Sequence, residues 1–203
     1  MKSAYYTFFF LVLLMIPACT HVTDINVHPV SSVDVSNEQH PLSVSLILDS
    51  SFSNYNYEID SFLTEKDILR FGPSLTDYAL QAAKASFLDV KSTSAMENDQ
   101  LVDAIVKPEI IKISHSAPAT NFGKFSYLIS VLWTVTSYPT EQVIWVGTID
   151  SQAEEPLGNV FTVKKHFDSL MQRLFDELLS KTIMELKNSY EIKRFSEQKI
   201  SGE

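Results

Sequence analysis

The sequence predicts an α+β fold: a single mixed or antiparallel sheet of about 4–5 strands packed by two helices, in β-α-β-β-β-α order. Three patterns carry this prediction. Between Phe125 and Thr136 the chain alternates with period two. Phe125, Tyr127, Ile129, Val131, Trp133 and Val135 fall on one face, and Ser126, Leu128, Ser130, Leu132, Thr134 and Thr136 on the other, as in a strand covered on one side. Between Lys164 and Tyr190 the apolar residues Phe167, Leu170, Met171, Leu174, Phe175, Leu178, Leu186 and Tyr190, with Thr182, keep the 3.6 period of a helix. From Gly72 onward, Leu75, Tyr78, Ala79, Ala82 and Ser86 form a second helical face, whose small residues suit close packing on a sheet.

The chain opens with a leader. Lys2 supplies a positive charge, and Phe8 to Ile16 is an apolar run of signal-peptide length. It is shorter than the ~20 apolar residues of a membrane-spanning helix. Ile16-Pro17-Ala18-Cys19 resembles a lipobox, although proline is a less usual third-to-last residue. Cleavage before Cys19 would leave a new N-terminus whose thiol takes a diacylglycerol. A further N-acyl chain makes such anchoring firm. The alternatives are an ordinary signal peptide with a chance cysteine, or an uncleaved anchor. Residues 1–18 are therefore expected to be a lipoprotein signal peptide, and 19–40 a lipidated N-terminus and flexible tether. Residues 41–195 are expected to be a single α+β domain, and 196–203 a disordered tail. A tether of that length sets the domain about 25 Å from the membrane.

Within the domain, Pro41 to Asp49 alternates as a strand, and Ser50 to Asn56 reads as a loop in which Phe52 and Tyr55 pack on the domain. Ser74 and Asp77 have capping-box spacing just after Pro73, marking a helix start. A short strand, Phe87 to Ser92, follows that helix. Asp103 to Ser114 is a strand containing Pro108, which cannot donate to a ladder and so calls for an edge or a bulge. Asn121 to Lys124 turns the chain into the Phe125 strand. Tyr138-Pro139-Thr140-Glu141 turns it again into a hairpin partner, Gln142 to Asp150, and Ser151 to Asn159 reads as an acidic loop.

Composition narrows the function. The chain has 203 residues, 45% hydrophobic and 20% charged, with a formal net charge of −9. An acidic chain without a basic run lacks the clustered cations that nucleic acid or an anionic lipid surface would need. Cys19 is the only cysteine, so no intramolecular disulfide is possible. The five glycines, at 72, 123, 147, 158 and 202, fit no phosphate-cradling spacing, and neither GxSxG nor HExxH occurs. Ser114-His115-Ser116 is the only Ser/His cluster in the expected domain, but neighbouring strand residues point to opposite faces. His166, Asp103 and Glu109 are the other weak catalytic candidates. Glu154-Glu155 and Asp176-Glu177 read as solvated charge, and Phe125, Tyr127 and Trp133 as core beneath the long helix rather than a ligand shelf. No catalytic residue, metal site or cofactor is predicted, and Cys19 is the one assigned site. The binding residues and the oligomeric state are not legible.

The chain resembles small outer-membrane lipoproteins of the YajG-like kind, and the wider group with the fold of the curli secretion lipoprotein and of lipoprotein activators of penicillin-binding proteins. The resemblance rests on the lipobox and on Gly72-Pro73-Ser74-Leu75-Thr76 opening a helix that leads to Ser86-Phe87-Leu88-Asp89-Val90. It extends through Val102 to Pro108, the Trp133 strand, Val143-Ile144-Trp145 and the helix after Lys164, covering roughly 41–195. It is a likeness of pattern, not of a diagnostic motif. It implies a non-catalytic, periplasm-facing envelope lipoprotein that binds or helps assemble another envelope component. Thr20, where aspartate would favour inner-membrane retention, implies the outer membrane. The alternative is an auxiliary lipoprotein of a lipid or lipopolysaccharide transport system. That role requires the Leu128/Leu132 face to stay partly uncovered. An envelope hydrolase finds no support in the motifs.

Overall fold

The computed structural model describes residues 21–31, 39–60, 66–95, 101–116, 123–156 and 163–201. In chain order the elements are β1 (His21–Asp24), β2 (His40–Ile47), α1 (Ser50–Ser53), β3 (Asn56–Asp60), β4 (Lys66–Arg70), α2 (Gly72–Ser86), β5 (Phe87–Thr93), β6 (Ala104–Ser116), β7 (Lys124–Ser137), β8 (Val143–Pro156), α3 (Val163–Asn188) and α4 (Tyr190–Ser201). The fold is α+β. A five-stranded mixed sheet in the order β5-β2-β6-β7-β8 carries it, and a three-stranded sheet, β1-β4-β3, stands beside it. Strand β2 has parallel partners in β5 and β6, whereas β6, β7 and β8 form an antiparallel meander.

One face of the large sheet carries Leu42, Val44 and Leu46 of β2, Val106 of β6, and Ile129, Val131, Trp133 and Val135 of β7, all buried. Helices α2 and α3 supply Leu75, Tyr78, Ala79 and Ala82, and Leu170, Leu174, Phe175 and Leu178, to the same core. Burying each large apolar side chain contributes ~1.5–3 kcal/mol. The small residues on α2 let α3 approach closely. A polar chain threads this core. The Trp133 indole donates to Tyr78 Oη at 2.9 Å, Tyr78 lies 2.6 Å from Thr182 Oγ1, and Thr182 Oγ1 donates to the Leu178 carbonyl at 2.8 Å. Thr182 commits its proton to Leu178, so the Tyr78 hydroxyl donates to Thr182. Sheet, α2 and α3 are thereby joined in one directional series. Trp133 does lie beneath the helices, but its polar partner is on α2, and α3 is reached through Tyr78.

Several local expectations are corrected. Residues 20–40 are not all tether. His21 to Asp24 pairs in parallel with Asp67 to Arg70 of β4, and Ile25 and Val27 join the core. These are the apolar positions of a polar-looking stretch, and each finds a covered site. His40 is buried and already belongs to β2. The Ser50 loop contains the short helix α1, capped by Asp49, which accepts from the Phe52 amide; Phe52 is buried as expected. Ser74 does not cap α2, because the helix begins at Gly72 and has no side-chain cap. A Cβ at Gly72 would collide with the Ser53 carbonyl, so glycine permits α1 to abut α2. The acidic stretch from Ser151 to Pro156 continues β8 instead of forming a loop, and residues 157–159 lie outside the described residues.

The long helix ends at Asn188. Ser189 caps a new helix, accepting from the Ile192 amide at 3.2 Å, so Tyr190 starts α4 and is exposed. The tail expected to be disordered from residue 196 is helical through Ser201, with Ser196 buried, and Ile192 of the preceding turn is buried as well. Pro108 meets the expectation for a proline: β2 pairs with β6 only at Ala104–Val106, leaving Pro108 with β7 on one side. The leader and Cys19 lie outside the described residues, as do Asn121 and Phe122 of the predicted turn.

Candidate anchoring and docking surface

The chain that follows the predicted lipidation residue is built into the domain wall. After β1, residues 25–31 cross both helices. The Val27 amide donates to Ser74 Oγ at 2.9 Å, and the same hydroxyl donates to the Ile25 carbonyl at 2.6 Å. His28 Nδ1 lies 3.0 Å from Asp77 Oδ2. Gln172 on α3 donates to the His28 carbonyl at 2.9 Å, and the Val30 amide donates to Asp176 Oδ1 at 2.7 Å. Two turns of helix thus hold an extended strap by its backbone. Sequence reasoning missed this, although Ile25 and Val27, two residues apart as on one strand face, were a visible signal.

The weak catalytic candidates are not brought together. His115 and Ser114 point to opposite faces of β6: His115 is paired with Tyr127 on the helix-covered side, and Ser114 with Leu128 on the other. His115 Nδ1 lies 2.9 Å from Tyr57 Oη, and its ring stacks on Tyr127 at 5.8 Å. Burial pushes the Tyr127 hydroxyl up to about 12, so it stays protonated. His166 Nδ1 lies 3.0 Å from Glu155 Oε1, and Arg173 holds the other oxygen of that carboxylate. Asp103 accepts from the Ser43 amide at 2.9 Å, with Lys199 Nζ at 3.7 Å. Glu109 pairs with Lys107 at 2.6 Å, and Glu177 with Lys181 at 2.6 Å. Asp176, read as solvated charge, is a clamp of the strap. Among the described residues no three His, Cys, Asp or Glu side chains gather as metal ligands. No described helix is long and apolar enough to cross a membrane.

Phe125, Tyr127 and Trp133 belong to the core or pack against it, so they form no ligand shelf. The opposite face of the large sheet carries Ser126, Leu128, Leu132, Thr134 and Thr136 of β7, which are only half-buried, beside Val146, Thr148 and Gln152 of β8, which are exposed. It is a flat surface with two leucines among hydroxyls.

No protein-family model and no curated protein matches the sequence. Solved structures do. A Xanthomonas campestris protein described as DUF330 superposes with a TM-score of 0.50 at 8% identity, over 90% of this chain and 99% of its own. The two chains share a fold. A minor lipoprotein of Acinetobacter baumannii gives a TM-score of 0.42 at 11% identity, over 71% of this chain and 90% of its own. The DUF330 likeness is one of fold alone. The YajG-like resemblance remains one of sequence pattern, with no counterpart among these structures.

Proposed function

We propose that the chain is an envelope lipoprotein without catalytic chemistry of its own, lipidated at Cys19 and lying on the periplasmic face of the outer membrane. It acts by binding, or assisting the assembly of, another envelope component. The observation that carries this reading is the join between lipobox and fold. Cys19 is followed after a single residue by β1, which is hydrogen-bonded into the small sheet. Two extended residues reach only ~7 Å. An acyl chain on Cys19 would therefore hold the start of β1, and the Asp67 end of β4 beside it, against the headgroups. The 25 Å stand-off of a free tether does not apply. A domain fixed so close presents a defined side to the membrane and the remainder to partners.

Function by contact and function by chemistry respond differently to mutation. Removing one acid, base or nucleophile disables an enzyme, whereas a contact surface tolerates most single polar changes. Alanine at His115, His166, Asp103 or Glu109, one at a time, is expected to leave complementation of a deletion strain intact under envelope stress, with immunoblots confirming protein level. A folded, abundant His115→Ala protein that fails to complement would contradict this reading.

A second reading, an auxiliary lipoprotein of a lipid or lipopolysaccharide transport system, is favoured by one observation: the Leu128/Leu132 face is left uncovered by the helices. Lipid-dependent quenching of a fluorophore at Leu132→Cys tests it. No change on titration with short-chain phospholipid would exclude it.

A further inference from the structure

We infer that β8 is a self-pairing edge, through which two copies of this chain join antiparallel across a two-fold axis at Gly147. The two halves of this edge are built differently. Along β8, alternate residues direct their backbone polar groups away from β7. On the C-terminal half, α3 caps these groups: Lys181 Nζ donates to the Asp150 carbonyl at 2.9 Å, and Arg173 donates to the Glu154 carbonyl at 2.7 Å. One helical turn beyond Lys181 the exposed residues are Met184 and Glu185, neither of them a base that could donate to the edge. The carbonyls of Val146 and Thr148, next in the same outward series, receive no hydrogen bond among the described residues.

An uncapped edge is a template for another strand, and proteins ordinarily blunt it with charge or proline. Trp145-Val146-Gly147-Thr148-Ile149 carries neither. Val146 is 51% exposed. The free stretch has natural limits: the register slips between Val135 and Thr136, around Ile144, and the Asp150 carbonyl is already occupied. Its midpoint is Gly147, over which the Trp145 ring lies so closely that a Cβ there would have to displace it.

These limits select the occupant. A second copy centred on Gly147 sets Val146 opposite Thr148′ and Trp145 opposite Ile149′, with outward-facing residues paired as an antiparallel ladder requires. No charged residue falls within the overlap, and the acidic run Asp150, Glu154 and Glu155 lies outside it on both sides. The other edge of the sheet, β5, displays Asp89 and Lys91, so a head-to-tail chain of copies is disfavoured and a closed pair results. Five residues per strand bury less than the ~1,600 Å² of a standard interface, so the dimer is weak and concentration-dependent.

Sedimentation velocity of the full chain in detergent, over a concentration series, tests this. The wild type is expected to show a monomer–dimer equilibrium. Val146→Lys, an exposed substitution that sets a base in the overlap, should weaken it at least tenfold. Gln152→Lys, outside the overlap, should leave it unchanged. If Val146→Lys does not fold by circular dichroism, Thr148→Lys replaces it. In a mixture of Val146→Cys and Thr148→Cys chains, oxidation should yield a disulfide-linked heterodimer. A wild type that stays monomeric throughout, species larger than a dimer, or a folded lysine variant that dimerises like the wild type would each overturn the inference. So would a monomeric wild type whose β8 captures a different protein.

Discussion

At the level of single residues, Trp133 and Tyr78 make the clearest case. The indole is buried, stands edge-on to the Tyr78 ring at 5.9 Å, and passes its hydrogen bond through that hydroxyl to α3. Trp133→Ala removes both volume and donor. It is expected to cost ~3–5 kcal/mol, a large share of a net stability of ~5–15 kcal/mol, and urea unfolding measures it. Tyr78→Phe keeps the ring but strands the indole N–H, so ~1–3 kcal/mol is expected. His40 carries a pH dependence. Its imidazole donates to the Leu186 carbonyl at 2.9 Å, and burial, with Lys193 and Lys187 nearby, holds its pKa below the usual 6.5. The unfolded chain therefore binds the proton first. Stability is full above pH 6.5 and declines as pH falls from there towards the lowered value, by at most ~1.4 kcal/mol per pH unit. Unfolding at pH 7.5 and 5.5 should reveal this slope, and His40→Gln should flatten it. The burial of Trp133 was legible in the alternation of β7. Its partner was not, because Tyr78 lies 55 residues away and only the packing of α2 on the sheet brings the two together.

Among the elements, β2, β7, the first half of β8 and both main helices were legible from long apolar repeats, and β5 and β6 from apolar residues dense enough to show through their charged ones. The misses share a cause. In β3 and β4 the apolar residues Tyr57, Ile59, Ile68 and Leu69 are interrupted by Glu58, Asp60, Lys66 and Asp67, as befits a small sheet wet on one side. The last residues of β8 are acidic because that edge faces solvent and the cations of α3. The restart at Ser189 was hidden because helical periodicity runs through it. The N-terminal strap reads as tether on its polar composition, yet it is held by Ser74, Asp77, Gln172 and Asp176, of which the Ser74 hydroxyl makes the two buried bonds. Ser74→Ala removes an acceptor from the Val27 amide and a donor from the Ile25 carbonyl, both buried. A loss of ~1–3 kcal/mol is expected, together with faster hydrogen exchange at the Val27 amide than anywhere in β7. Equal protection of Val27 in the variant would mean that Ser74 is dispensable and that the strap is held by the packing of Ile25 and Val27 with its bonds to Asp77, Gln172 and Asp176.

At the scale of the whole molecule, the sheet divides labour. One face forms the core, where α2 and α3 cover it, and no described helix covers the other, where Leu128 and Leu132 lie half-buried among hydroxyls. The strap ties the start of the described chain to both helices, so a pull on the N-terminus is borne by the core and not by a loose tether. That arrangement suits a domain anchored at its first residues. The proposed site, Cys19, is an expectation resting on four residues, because lipidation is read from a linear signal. The surface that meets a partner was not legible, because it is formed by residues scattered along the chain and brought together only in the fold. Metabolic labelling with a palmitate analogue tests the anchor at Cys19. The wild-type chain should incorporate label and fractionate with the outer membrane, whereas Cys19→Ser should incorporate none and appear as soluble protein or uncleaved precursor. Equal labelling of the two would contradict the account.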